Sequence, residues 1–142
     1  MSAPLYNTDI LRLAAAIPHQ ARLPDPQGTA ERRSPVCGSR VTVDVDLGPD
    51  GRVAKVGLLV RACALGQASA SLLAADILGR TPGELAAERD AVTAWLARDG
   101  DPPAWPGLAV LAPALDYPAR HASIRLAFEA AADAAAQAAA RG

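Results

Sequence analysis

Hydrophobic and polar positions alternate most regularly between Arg40 and Leu47, where Val41, Val43, Val45 and Leu47 point one way and Arg40, Thr42, Asp44 and Asp46 the other. That period of two predicts a strand with one buried face. Gly48-Pro49-Asp50-Gly51 is a strong turn, and Arg52 to Val60 predicts a second strand with Ala54, Val56, Leu58 and Val60 on one side. Together they predict an antiparallel hairpin. Upstream, Ile10, Leu13, Ala14 and Ile17 recur at helical spacing within Leu5 to Ile17, with Asn7 or Thr8 as cap and Pro18 as stop. His19 to Pro35 is rich in Pro, Gly and charge and reads as an irregular loop. Downstream, the small residues from Gly66 to Leu78 predict a helix lying close against the sheet and stopped by Gly79. Thr81-Pro82-Gly83-Glu84 is a capping box opening a helix to about Ala97. A Pro-rich loop from Arg98 to Pro106 and a short apolar segment from Leu108 to Leu115 follow, and Asp116 with Pro118 opens a long final helix.

Composition narrows the class. A length of 142 residues suits one compact domain over residues 1–142. With 51% hydrophobic and 20% charged residues the chain is globular, and with only 4% aromatics it must pack largely through alanine and close backbone approach. Net charge is −1 and no basic tail or stretch stands out, so a nucleic-acid partner is not expected. Met1 to Gln20 lacks a basic start followed by an apolar stretch, and no apolar run is long enough to span a bilayer. Two cysteines without a secretion signal point to a reducing cytoplasm.

Only Cys37, Cys63, His19 and His121 offer thiol or imidazole chemistry. Cys37 precedes the first predicted strand, and Gly38 after it lets the backbone wrap the sulfur and leaves an amide free to bond a thiolate or sulfide. Cys63 stands where the second strand yields to the small-residue helix, and a helix N-terminus favours thiolate. The two flank the same end of one hairpin. Spacing alone leaves open whether they form a functional pair or are small buried hydrophobes. His121, in the first turn of the last helix, is a possible ligand, although an exposed or capping histidine is the plainer reading of its position. His19 reads as an exposed loop residue.

Three segments resemble the motifs of the U-type iron–sulfur cluster assembly scaffolds, the family of the NifU N-terminal domain, IscU and SufU. Ser34-Pro35-Val36-Cys37-Gly38 resembles the first ligand motif, in which Asp usually follows the Gly. The stretch from Ala62-Cys63-Ala64 to Ala68-Ser69-Ala70-Ser71 resembles the second, and Pro118-Ala119-Arg120-His121-Ala122-Ser123 the third. Leu5-Tyr6 and the long segment between Ala97 and Pro118 resemble the SufU branch more closely than the IscU branch. Aligned without gaps, Ser39 takes the place of the aspartate and Ser123 that of the third cysteine. A one-residue slip instead sets His121 on the histidine of IscU-type members and Ala122 on the cysteine. The Pro-Pro-Val-Lys segment of IscU-type members is only half matched by Asp101-Pro102-Pro103-Ala104-Trp105.

The resemblance implies an α+β fold, with helices packed on one face of a small three-stranded antiparallel sheet and a long C-terminal helix. It implies binding of iron or a [2Fe–2S] cluster by Cys37 and Cys63, with His121 as a further metal ligand and Ser39 and Ser123 as lost-ligand positions. It also implies sulfur taken from a cysteine desulfurase and delivery to apo iron–sulfur acceptor proteins, the work of a carrier more than of an enzyme. Serine hydroxyls are poor ligands for soft metals, so binding should be weaker and more open than in a four-ligand member. Two alternatives stand beside it: a zinc-dependent SufU-type sulfurtransferase, and a divergent member acting as an interaction module without metal.

Overall fold

The computed structural model describes residues 6–35 and 38–141. Its elements are α1 (Thr8–Ala15), β1 (Gly28–Arg33), β2 (Arg40–Leu47), β3 (Val53–Arg61), α2 (Ala64–Asp76) and α3 (Pro82–Leu96). Two 3-10 segments, Leu108–Asp116 and Pro118–Arg120, then lead into α4 (His121–Arg141). The strands form an antiparallel sheet in the order β1-β2-β3. This is the expected α+β architecture, and no helix among the described residues is long and apolar enough to cross a membrane.

Local signals explain most of the elements. Asn7 Oδ1 accepts from the Ile10 N–H at 3.0 Å and starts α1. The capping box of α3 forms as expected, with Thr81 Oγ1 accepting from Glu84 N and Glu84 Oε1 from Thr81 N, both at 3.1 Å. β2 runs over the residues expected, and Gly51 adopts the positive φ that its turn needs (77°).

β1 overturns the reading of His19 to Pro35 as wholly irregular. Its residues, Gly-Thr-Ala-Glu-Arg-Arg, carry no large apolar alternation because one face lies flat on α4. A Cβ at Gly28 would collide with the Ala134 carbonyl and come within 2.8 Å of the Ala138 amide. The alanines of α4 serve the same close approach, with Ala131, Ala134, Ala135 and Ala138 fully buried.

Two further expectations are corrected. β2 is buried on both faces, not one: Thr42 and Asp44 are buried as well as Val41, Val43 and Val45. The cover is the chain after α1, which passes from the edge of β3, where the Leu58 N–H donates to the His19 carbonyl (2.9 Å), across the sheet to β1. It crosses so close over Gly57 that a Cβ there would lie 3.0 Å from Leu23 N and clash with the Ala21 carbonyl. Asp44 clamps it, accepting from Arg22 Nε (2.6 Å), Leu23 N (3.0 Å) and Thr29 Oγ1 (2.7 Å). On β3, Ala54 is exposed while Val53 is buried. A register shift beside Asp46 and Leu47 places an extra residue there and reverses the alternation.

One hydrophobic core joins the sheet, α2, α3 and α4. Trp105 pins the long connection before α4: its indole N–H donates to the Leu72 carbonyl at 2.8 Å and its ring meets Phe128 edge-on, centroids 5.4 Å apart. The Arg80 guanidinium lies over that ring, 4.3 Å from its centroid. A buried indole of this kind stabilises by roughly 3–5 kcal/mol relative to alanine.

Candidate functional site

The starts of β2, α2 and α4 converge at one end of the sheet. Ser39 immediately precedes β2, Cys63 occupies the N-cap position of α2, and Ser123 lies in the first turn of α4. The fold draws them together through small residues. Gly66, in the first turn of α2, has no room for a Cβ, which would lie 2.7 Å from the Ala62 Cβ and 3.3 Å from the Ser123 carbonyl oxygen. Ser69 donates from Oγ to the Ile124 carbonyl at 2.7 Å, inside the core, and Ser71 donates to the Ala16 carbonyl at the end of α1 (3.4 Å). The small-residue run of α2 is thus the means by which its N-terminus is fastened to that of α4. Cys63 and Ser123 each lie at a helix N-terminus, the positive end of a helix dipole.

The hydrogen bonding there is specific. The Cys63 N–H donates to Ser39 Oγ at 3.4 Å, and Ser123 Oγ donates to Ser39 Oγ, also at 3.4 Å. Both serines are buried, whereas Cys63 is partly exposed and its thiol is not in a disulfide. Neighbouring ligand atoms around a tetrahedral metal with bonds of about 2.0–2.3 Å stand about 3.3–3.8 Å apart. The two hydroxyl oxygens therefore sit at the separation of two ligands of one metal.

Sequence reasoning brought Cys63, Ser39 and Ser123 to this place, and the structure puts all three within one hydrogen-bonded group. Cys37 lies outside the described residues. His121 is buried, not exposed, and its Nε2 lies 2.8 Å from the Ala114 carbonyl. A carbonyl only accepts, so Nε2 carries the hydrogen and Nδ1 is the nitrogen left for any other bond. The bond ties the start of α4 to the 3-10 segment Leu108–Asp116. His19 is exposed, as expected, and holds an unusual positive φ of 59° where the chain turns onto the edge of β3. Among the described residues no three His, Cys, Asp or Glu side chains gather in a way that could hold a metal ion. A hollow of about 620 Å³ lies at the other end of the sheet between Gln27, Leu47, Pro49 and Ala138, away from the thiol.

Composition gave no hint of a basic surface, yet the fold builds one beside this site. Arg33, Arg40 and Arg61 stand directly opposite one another on β1, β2 and β3. Single-strand patterns could not reveal it, because each strand contributes its arginine from a different part of the chain.

No protein-family model matches the sequence, and neither does any curated protein. Solved structures do. The N-terminal part of a NifU-like protein from Brucella abortus, described as nitrogen-fixing, superimposes with a TM-score of 0.90 and is 38% identical, over 97% of this chain and 96% of that one. The chain belongs to the U-type iron–sulfur scaffold family. A structure from the thermophile Fervidobacterium islandicum, described as a candidate iron–sulfur cluster assembly scaffold for the SUF system, has a TM-score of 0.82. It is 17% identical over 89% of this chain and 93% of that one, a likeness of fold. Among the described residues, the convergence of the β2 entry, the α2 cap and the α4 start presents one thiol beside two hydroxyls.

Proposed function

We propose that this U-type chain is an iron–sulfur cluster assembly scaffold of the cytoplasm, carrying iron or a [2Fe–2S] cluster as cargo on Cys37 and Cys63. The observation that carries the reading is the placing of Cys63, a partly exposed residue with a free thiol on the cap of α2 where the starts of β2, α2 and α4 converge. The likeness to structures described as NifU-like and as an iron–sulfur assembly scaffold supports it. The residues present do not fit a closed four-ligand site. Hydroxyls stand at positions 39 and 123, and oxygen of that kind is a poor partner for soft metals. Nδ1 of His121, an external thiol, water or a partner's side chain would complete the set. An open set suits a cargo that is passed on to apo iron–sulfur acceptor proteins.

Sulfur enters from a cysteine desulfurase. The Cys63 thiolate attacks the outer sulfur of the donor's cysteine persulfide, the donor's S–S bond breaks, and the donor cysteine leaves as thiolate with the electron pair. Cys63 is left as the persulfide. The hydrogen bond that Ser123 Oγ donates to Ser39 Oγ favours a second reading, an interaction module without metal, because it joins two hydroxyls that are poor ligands for soft metals.

The test is anaerobic purification with iron, zinc and acid-labile sulfide measured per chain, repeated for Cys37→Ala and Cys63→Ala. Incubation with a cysteine desulfurase and cysteine follows, read by intact mass. Iron with sulfide that both substitutions abolish, and a gain of one sulfur on Cys63, are the expected results. Zinc in place of iron, with desulfurase stimulation, would instead mark a sulfurtransferase. No metal and no sulfur gain would refute the scaffold reading and leave the module.

A further inference from the structure

The arginine row has a direction and an unmet charge. Residues paired across an antiparallel sheet share a face, so Arg33, Arg40 and Arg61 leave the side of the sheet away from α4. Strands lie about 4.8 Å apart, so the row spans about 10 Å. Like charges directly opposite each other destabilise a sheet. One carboxylate stands among them: Glu31 Oε2 lies 3.0 Å from Arg33 Nε and Glu31 Oε1 3.6 Å from Arg40 Nε. Arg61 is exposed and has no ion pair among the described residues. The three arginines border a hollow of about 300 Å³, with Ser34, Pro35 and Gly38 completing its wall. Arg40 directly follows Ser39, and Arg61 stands two residues before Cys63.

We propose that this row is the docking surface for an acidic segment of the protein that delivers sulfur to Cys63. The inference rests on the reading of Cys63 given above and adds the chemistry of the partner. Guanidinium forks match carboxylates in pairs, and a row about 10 Å long suits a few carboxylates on one strand or helix. A nucleic acid would call for a longer basic track, whereas here Glu31 flanks the row and the chain as a whole is net negative. A partner seated on the row is held with its own reactive group beside the thiol, so the charges set both encounter rate and orientation.

The full chain is titrated with an oligoglutamate peptide by calorimetry, as wild type, as Arg33→Gln with Arg61→Gln, and as Lys55→Gln at the far end of β3. Removing two exposed partners should weaken binding roughly tenfold. Lys55→Gln should match wild type, and wild-type binding should fade as the screening length falls to about 10 Å near 0.1 M salt. Arg61→Glu, at an exposed position, serves as the single-site version should the pair disturb folding. The proposal is overturned if wild type does not bind the peptide, if the arginine variants bind as tightly as wild type, or if a DNA oligonucleotide of equal charge binds more tightly. Sulfur transfer from a cysteine desulfurase separates this from the scaffold reading. Wild type taking no sulfur sinks that reading and leaves the peptide result standing, whereas transfer as fast to the arginine variants as to wild type at low salt sinks the docking surface alone.

Discussion

Replacing Ser39 by Asp and Ser123 by Cys together should turn the proposed open site into one that holds zinc. The hydroxyl oxygens of the two serines stand 3.4 Å apart, so side chains at positions 39 and 123 are near enough to reach one metal ion. Exchanging oxygen for sulfur at position 123 adds little bulk, which matters because Gly66 packs against that residue. Loss of a mere supporting partner changes metal affinity by about 10–100-fold, so each restored ligand should contribute at least about 100-fold and the pair about 10⁴-fold. The substituted protein should also be less stable without metal, since an aspartate at a nearly buried position leaves a charge uncompensated. Zinc at about 100 times its dissociation constant would then stabilise the folded state by about 2.7 kcal/mol. Competition with a chromophoric chelator measures the affinity, thermal unfolding with and without zinc measures the linkage, and the cobalt(II) form reports thiolate coordination by its absorption. If the folded double variant holds zinc no better than wild type, Ser39 and Ser123 are not ligand positions and the proposed site is wrong.

The clamp across the sheet makes a second prediction. Asp44→Ala removes the buried acceptor shared by the part-buried Leu23 N–H, the Thr29 hydroxyl and Arg22, and since Thr29 and Arg22 can turn to water, unfolding in urea should show a loss of about 2 kcal/mol. Burial pushes the Asp44 carboxyl up, but the hydrogen bonds from Arg22, Thr29 and Leu23 outweigh it and hold the pKa below its usual value. A depressed folded pKa contributes stability that is complete above the unfolded value of about 3.9 and disappears as pH falls through the folded one, so the gap between wild type and Asp44→Asn should narrow in acid; a constant gap would contradict the clamp. Glu88 is the opposite case. It lies on the α3 stripe with Leu85 and Val92, its Oε2 is buried without a hydrogen-bond partner among the described residues, and burial raises its pKa despite the nearby charge of Arg80. Glu88→Leu should therefore stabilise the protein by about 1 kcal/mol at neutral pH. That gain should shrink as acid protonates the wild-type carboxyl, and urea unfolding showing no gain at neutral pH would rule the strain out.

Much of the fold was legible because local chemistry decided it. The capping box at Thr81 and Glu84, the alternation of β2, the glycine turn and the alanine-rich final helix each carry their own signal within a few residues. The motifs at Ala62–Ser71 and Pro118–Ser123 likewise name residues, Cys63 and Ser123, that the structure brings to the same hydroxyl of Ser39. β1 was missed because its small and charged residues answer to α4, not to a repeating pattern of their own. Ala54 was assigned to the wrong face because a bulge adds one residue to β3. His121 looked exposed or free to bind a ligand, since nothing near it in sequence announces that Ala114 would accept its Nε2 hydrogen.

What the sequence determined by itself, then, is what depends on neighbours along the chain: where helices start, where strands alternate, and which residues can act as ligands or nucleophiles. Only the tertiary structure decided which of these meet. It placed the Cys63 amide, Ser39 and Ser123 in one hydrogen-bonded group, buried the second face of β2 under the chain that Asp44 clamps, and lined up three arginines from three strands beside the thiol. Such juxtapositions join positions tens of residues apart, and their energies appear only after the backbone entropy of bringing the strands and helices together has been overcome by the core.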